Sequence, residues 1–304
     1  MKRNLISFAC ISTLLMGILT GCGEQKATAL VNTLTFDTED FGSLRLGYDA
    51  EDIHVLESDN DKVILKEYMN EDKPSYYARA STQSDELLIT EGDRPNRSSF
   101  ESYVEIYIPP NYTDSISLHS TSGTIHSEIG LNLSGVFDVD TTNGVVKVSN
   151  VKASNIRITS TNGSLNFENI DADRLNIQTT NAETTMNQIN GIVSYQSKGG
   201  NLTASDLHGS GSFNASGEGS IAVSFADVTN DISAYSKNGT LTVTFPDTLT
   251  FKFFATTKEG SINTSFSDQL TVTDTTAVGT IGTSPEIAIE LETRNGDIKV
   301  SGKE

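Results

Sequence analysis

A glycine recurs about every 19 to 21 residues through the C-terminal two thirds of this 304-residue chain. It stands at Gly123, Gly144, Gly163, Gly200, Gly219, Gly239, Gly260 and Gly296, with Ala182 in its place once. Self-similarity at a fixed period of this length marks a repeat architecture, in which each unit buries its apolar face only against its neighbours. Three residues before the glycine is always a short hydroxyl: Ser120, Thr141, Ser160, Thr179, Ser197, Ser216, Ser236, Thr257 and Thr293. Two residues after it the side chain is aliphatic, as in Ile125, Val146, Leu165, Ile221 and Ile298, except for Thr184 in the copy that lacks the glycine.

Earlier in each copy the apolar residues alternate with polar ones, as in Ile116 and Leu118, Phe137 and Val139, Ile156 and Ile158, Leu175 and Ile177. A spacing of two puts one face of a strand inward, so each copy reads as strand, tight turn, strand. Asn143-Gly144, Asn162-Gly163, Asn238-Gly239 and Asn295-Gly296 are dipeptides that accept positive φ at small steric cost. A hairpin meander would also use them, but it gives no reason for the same hydroxyl at one offset in every copy. Coils stacked at about 4.8 Å do, because an inward hydroxyl then meets its equivalent in the next coil. The expected fold is all-β, a single-stranded β-solenoid of about nine coils. It is right-handed by the usual preference of parallel crossovers, and its interior is too narrow for a ligand.

The N-terminus carries a second signal. Lys2 and Arg3 precede an apolar run from Leu5 to Leu19, short for a membrane span and built like a secretory signal. The run ends in Leu19-Thr20-Gly21-Cys22, which resembles the bacterial lipoprotein lipobox; that resemblance implies cleavage before Cys22 and lipidation of it. Cys10 leaves with the signal, so no disulfide is available and the mature domain relies on its own core. The full chain has net charge −19; losing residues 1–21 removes two cations and no acid, giving −21. A surface this acidic opposes nucleic-acid binding, and it serves solubility.

Four segments follow: 1–21 as signal peptide, 22–28 as a lipidated tether, 29–112 as an N-terminal β region capping the solenoid, and 113–304 as the repeats. Glu91 to Ser99, with Arg94, Pro95 and Arg97, reads as an exposed loop. Between Gly260 and Gly296 the interval nearly doubles, to 36 residues, as a distorted coil or an excursion would make it.

The lipobox, the leading strands that close on Tyr103 to Pro110, the recurring Ser/Thr-X-Asn-Gly-X-Ile pattern and the closing Leu291 to Ile298 together resemble the bacterial putative-adhesin β-solenoid domains, a largely uncharacterised family. The resemblance spans nearly the whole mature chain and implies a solenoid. It brings no catalytic residues with it.

Chemistry is sparse. Carboxylates abound, but they fall at differing offsets among the copies and form no pair of the kind polysaccharide-cleaving β-helices use. His119 and His126 flank the Gly123 turn without an evident third ligand, so they read as surface residues and no metal is assigned. Trp is absent, leaving Tyr and Phe as the aromatic platforms for a sugar. Lys198, Lys237, Lys258 and Arg294 each lie two residues before a turn glycine. Such a row guards a sheet edge by charge, or carries an anionic envelope polymer. The expectation is therefore a non-enzymatic, extracytoplasmic lipoprotein of the cell membrane or outer membrane, anchored through Cys22, whose solenoid serves adhesion or envelope sensing. It would use no cofactor and no small-molecule substrate, and its partner would be an envelope polymer or a protein. A polysaccharide-acting β-helix enzyme and a structural spacer are the alternatives.

Overall fold

In the computed structural model, residues 28–303 are described. The signal segment, Cys22 and the tether up to residue 27 lie outside the described residues.

Twenty-two strands form one hydrogen-bonded network, and its body is a parallel β-solenoid, as expected. The period appears directly in the register. Val145–Ser160 pairs in parallel with Ser164–Thr179, Val146 opposite Leu165, and Glu183–Ser197 pairs with Leu202–Ala215, Thr184 opposite Leu202. Residues one period apart therefore stack in rows. The aliphatic row after the turn (Ile125, Val146, Leu165, Leu202, Ile221, Leu241 and Ile298) is at most 1% exposed and fills the centre. Towards the C-terminal end phenylalanines take over, with Phe225 and Phe245 stacked at 5.7 Å and Phe251 at 5.6 Å from Phe245.

The turn glycines answer to crowding more than to dihedral preference. Among them only Gly163 has positive φ, at +96°. A Cβ on Gly144 would lie 2.3 Å from the Gly123 carbonyl oxygen, one on Gly163 2.1 Å from that of Gly144, and one on Gly239 2.2 Å from that of Gly219. Backbones stack turn upon turn, and only hydrogen fits between them. Left-handed backbone occurs instead at a second corner, in the row Asn150, Asn169, Gln188 and Asp206, with φ between +52° and +60°. Short polar side chains tolerate that region best, which explains three of the four.

The recurring hydroxyl accepts within its own coil and, at Ser120, Ser236 and Thr257, donates to a carbonyl of the neighbouring one. Gly123 N–H donates to Ser120 Oγ at 3.0 Å, Gly144 to Thr141 Oγ1 at 2.9 Å, Ala182 to Thr179 Oγ1 at 2.9 Å, and Gly239 to Ser236 Oγ at 2.8 Å. A tight turn points this N–H inward, where only a side chain can accept it. Among the described residues the expected hydroxyl-to-hydroxyl ladder is reduced to one rung, Thr257 to Thr293 at 3.2 Å. In one copy the predicted residue is displaced: Ala215, not Ser216, pairs with Ser197 on one side and Ser236 on the other.

At both ends the stacking order departs from chain order. Ser43–Tyr48 lies between Glu86–Thr90 and Ser115–Ser120, while Asp52–Glu57 lies between Ser102–Ile108 and Ile125–Ser127. Residues 29–112 thus supply stacked coils as well as a cover. At the far end Ala288–Thr293 lies between Ile221–Ser236 and Phe251–Thr257, and Ile298–Lys303 between Leu241–Pro246 and Ile262–Thr264. The Gly296 coil therefore sits between the Gly239 and Gly260 coils. The long interval is an excursion: Leu270–Val272 and Thr276–Ile281 pair antiparallel and cover Phe251–Thr257. At the N-terminal end Arg79–Gln83 covers Glu86–Thr90, and Lys62–Met69 with Ala29–Asp37 covers Ser102–Ile108, again antiparallel. Such covers keep open backbone groups from templating end-to-end association.

Candidate functional site

The turns of successive coils line one long edge of the solenoid, and two features on it carry charge chemistry. At the N-terminal end a cavity of about 530 Å³ opens between the segment 91–102, the turn Asp49 to Glu51 and the turn at Thr121 and Ser122. Its back wall is a buried ionic network. The Arg94 side chain is 4% exposed, Glu51 6% and Glu67 0%. Arg94 Nη2 pairs with Glu67, Nε donates to the Tyr76 carbonyl at 3.1 Å, and Nη1 lies 2.7 Å from Glu51 Oε1 but off the line of a hydrogen bond. Glu67 also accepts from Tyr48 Oη at 3.1 Å, Asn32 Nδ2 at 2.7 Å and the Ala78 N–H at 2.8 Å. The segment read as an exposed loop is thus pinned at its centre, because two carboxylates draw Arg94 into the cap.

Glu51 and Glu91 titrate apart. Burial opposes ionisation of Glu51, but the Arg94 charge and hydrogen bonds from Glu91 and Ser102 outweigh it and hold the carboxyl below its ordinary value. Glu91 is pushed up to about 7, first by burial and then by its hydrogen bond to Glu51, despite accepting the Asp49 N–H at 2.9 Å. A protonated and an ionised carboxyl side by side is an arrangement that acid–base catalysts also use. Here its contacts stitch the outermost turn to the next one, which accounts for it structurally.

At the other end the basic residues of the repeat come together. Ser236 pairs with Thr293 and Thr293 with Thr257, so Lys237, Arg294 and Lys258, each one residue further on, occupy adjacent coils. Insertion of the last coil places Arg294 between Lys237 and Lys258. Lys258 and Arg294 are exposed and Lys237 is half-buried. The strands that bring them there are hydrogen-bonded on both sides, so the row guards no sheet edge. Lys198 belongs to an earlier coil and is separated from this group by the coil of Ala215.

Between the two ends the edge carries amides. Asn162 donates to Asn143 at 2.9 Å and Asn181 to Asn162 at 3.1 Å. His119 and His126 do not converge on each other. His119 Nδ1 is 3.5 Å from Asp140, whereas His126 sits beside His54 at 6.0 Å between ring centroids and has Glu128 Oε1 2.8 Å from Nε2. Among the described residues no group of three or more His, Cys, Asp or Glu is placed to hold a metal ion, and no helix is long and apolar enough to cross a membrane. Cys22 lies outside the described residues.

The family Toastrack DUF4097 matches residues 43–301. No curated protein matches the chain. Among solved structures, a putative lipid binding protein from Parabacteroides distasonis ATCC 8503 has a TM-score of 0.49 at 13% identity, covering 90% of this chain and 96% of its own. A putative adhesin from Bacteroides fragilis NCTC 9343 has 0.45 at 19%, covering 91% and 100%. One from Parabacteroides merdae ATCC 43184 has 0.41 at 15%, covering 90% and 96%.

Proposed function

The chain belongs to the Toastrack DUF4097 family, and from that premise we propose that it is an extracytoplasmic lipoprotein, held to a bacterial membrane through Cys22, whose solenoid is a binding surface for an envelope polymer. The observation that carries the reading is the row Lys237, Arg294 and Lys258. These are three contiguous cations on a chain of net charge −19, without an acidic partner within ion-pair distance among the described residues. Straight rows of side chains repeated at the coil spacing suit a ligand that is itself extended and repetitive. Acidic surroundings make such a row selective, because an anionic polymer is repelled elsewhere and attracted there. Adhesion and envelope sensing both begin with that contact.

The test is binding of the full chain, purified in detergent, to anionic envelope glycopolymers and to intact cells, with the same samples assayed for released sugar. Saturable binding without product, lost in the double variant Lys237→Glu, Lys258→Glu, supports the reading. Binding that survives charge reversal disposes of the basic row, and product release replaces a binding protein with an enzyme. For the anchor, Cys22→Ser should move the protein from the membrane to the soluble fraction; retention in the membrane would reject lipidation at that residue.

A further inference from the structure

The outer face of the C-terminal coils holds a recess that the basic row does not use. Outward residues there form a grid, because pairing aligns Ser194 with Ser212, Ser212 with Ser233, Ser233 with Glu290 and Glu290 with Phe254. Small serines in the middle and larger side chains at the ends leave two adjoining hollows of about 440 and 230 Å³, which share Ser212, Ser233 and Glu290. At one end the Phe254 ring is 47% exposed, and at the other Ile192 is 42% exposed.

The second observation is Ser210, on the floor of the larger hollow. It projects outward in register with exposed Ile192, yet is only 5% exposed. The cause is a slip in register: between the Gly209 and Gly211 pairings the facing strand has three residues, Thr229, Asn230 and Asp231, opposite Ser210 alone. That bulge crowds Ser210 from one side, as bulges beside binding sites re-aim side chains. Ser210 Oγ has no hydrogen-bond partner among the described residues, although it lines the hollow. Its hydroxyl therefore opens into the hollow with donor and acceptor both free for whatever enters.

We infer that this recess binds a short run of neutral sugar residues, with an apolar ring face against Phe254 and sugar hydroxyls paired with Ser210, Ser212 and Ser233. Hydroxyl donors and acceptors beside an exposed aromatic face match the two sides of a sugar ring. Ser210 and Phe254 lie on the first and last of four adjacent strands, three spacings or roughly 14 Å apart, which exceeds one ring and fits a short chain of them. Exposed Glu290, between Ser233 and Phe254, and Glu292 beside it turn away uronic acids and sulfated or phosphorylated sugars. The inference deepens the envelope-polymer reading: a glycopolymer whose anionic groups follow Lys237, Arg294 and Lys258 brings its neutral sugars within reach of the recess.

The experiment is calorimetric titration of the full chain in detergent with neutral tetrasaccharides of glucose, mannose and N-acetylglucosamine, and with a tetra-uronic acid of matched length. Binding of at least one neutral tetramer is expected, weakened about tenfold or more by Phe254→Ala. Ser212→Tyr, which fills the hollow from an exposed position, should abolish it, with thermal unfolding of both variants confirming the fold. No heat with any neutral tetramer, equal binding by both variants, or preference for the uronic tetramer overturns the assignment. Loss of polymer binding on charge reversal, with recess variants still binding polymer normally, rejects the recess alone. Tetramer binding at the recess without any polymer or cell binding rejects the adhesion reading alone.

Discussion

Asn295 Nδ2 donates a 2.7 Å hydrogen bond to Asn238 Oδ1 across 57 residues of chain, although the Gly260 coil lies between them in sequence. Two turns separated by about three periods have become neighbours because the last coil enters the stack one layer in from its end. The same contact brings Gly296 against Gly239, and Gly260 against Gly296, so the three glycines stack in the order Gly239, Gly296, Gly260.

Gly296→Ala should therefore destabilise strongly. The new Cβ would stand 2.0 Å from the Gly239 carbonyl oxygen, a backbone atom that cannot swing aside. A loss of about 1–3 kcal/mol in chemical denaturation is expected, as for overpacking elsewhere. Gly130→Ala is the control, since a Cβ there meets nothing within 4 Å and should leave the midpoint unchanged or slightly higher. Equal midpoints for the two variants would refute stacking as the reason for glycine.

Thr141→Val keeps the shape of a 2%-exposed side chain but removes the acceptor of the Gly144 N–H. The donor is left buried and unpaired, a cost of about 1–3 kcal/mol. Thr293→Val should cost more, because Thr293 accepts from Gly296 N–H at 2.9 Å and also donates to the Gly296 carbonyl at 2.6 Å. Denaturant midpoints of the two variants check the order.

Removing Arg94 should cost far more than its place in a loop implies. Arg94→Met leaves Glu67 and Glu51 buried without their cation, and breaking a buried pair in this way typically costs about 3–5 kcal/mol. Hydrogen exchange should show residues 91–102 and the turn at Asp49 to Glu51 opening together. Protection confined to its original level in both segments would mean that the network does not tie them.

The Glu91 carboxyl gives that seam a pH dependence of defined sign. Its affinity for a proton is higher folded than unfolded, so it contributes stability in full below its ordinary value of 4.5 and loses it as pH rises towards about 7. Glu51, shifted the opposite way, contributes above the ordinary carboxyl value and loses its contribution as pH falls. Thermal unfolding between pH 5 and pH 8 should show the Glu91→Gln variant losing less stability than the parent; parallel profiles would dismiss the shared proton.

The repeat was legible because each of its contacts recurs: the glycine that meets the glycine above, the hydroxyl that accepts its own turn's N–H, the aliphatic row behind them. What recurs leaves a pattern in one sequence. Single events do not. The pairing of Arg94 with Glu67, 27 residues away, and with Glu51, 43 away, occurs once, so a run containing Arg94, Pro95 and Asn96 reads as any surface loop does. Out-of-order stacking leaves only the long interval after Gly260 as its trace. Ala215 hides behind Ser216 because one extra residue before Gly219 shifts the count without changing the type of residue found there. The recess around Ser210 depends on a slip against Thr229 to Asp231 that no alternation of apolar and polar residues records.

Because each terminal coil is clasped by a segment from elsewhere in the chain, the molecule cannot be lengthened by adding copies at its tips. An extra unit appended after Lys303 would start one layer inside the stack, with no free edge to extend. A duplicated stretch between Leu131 and Ser236, where chain order and stacking order agree, finds a place at once. Changes in length during descent are thereby confined to the middle of the molecule, and the Arg94 cap and the Lys237, Arg294 and Lys258 row move apart or together as whole coils are gained or lost.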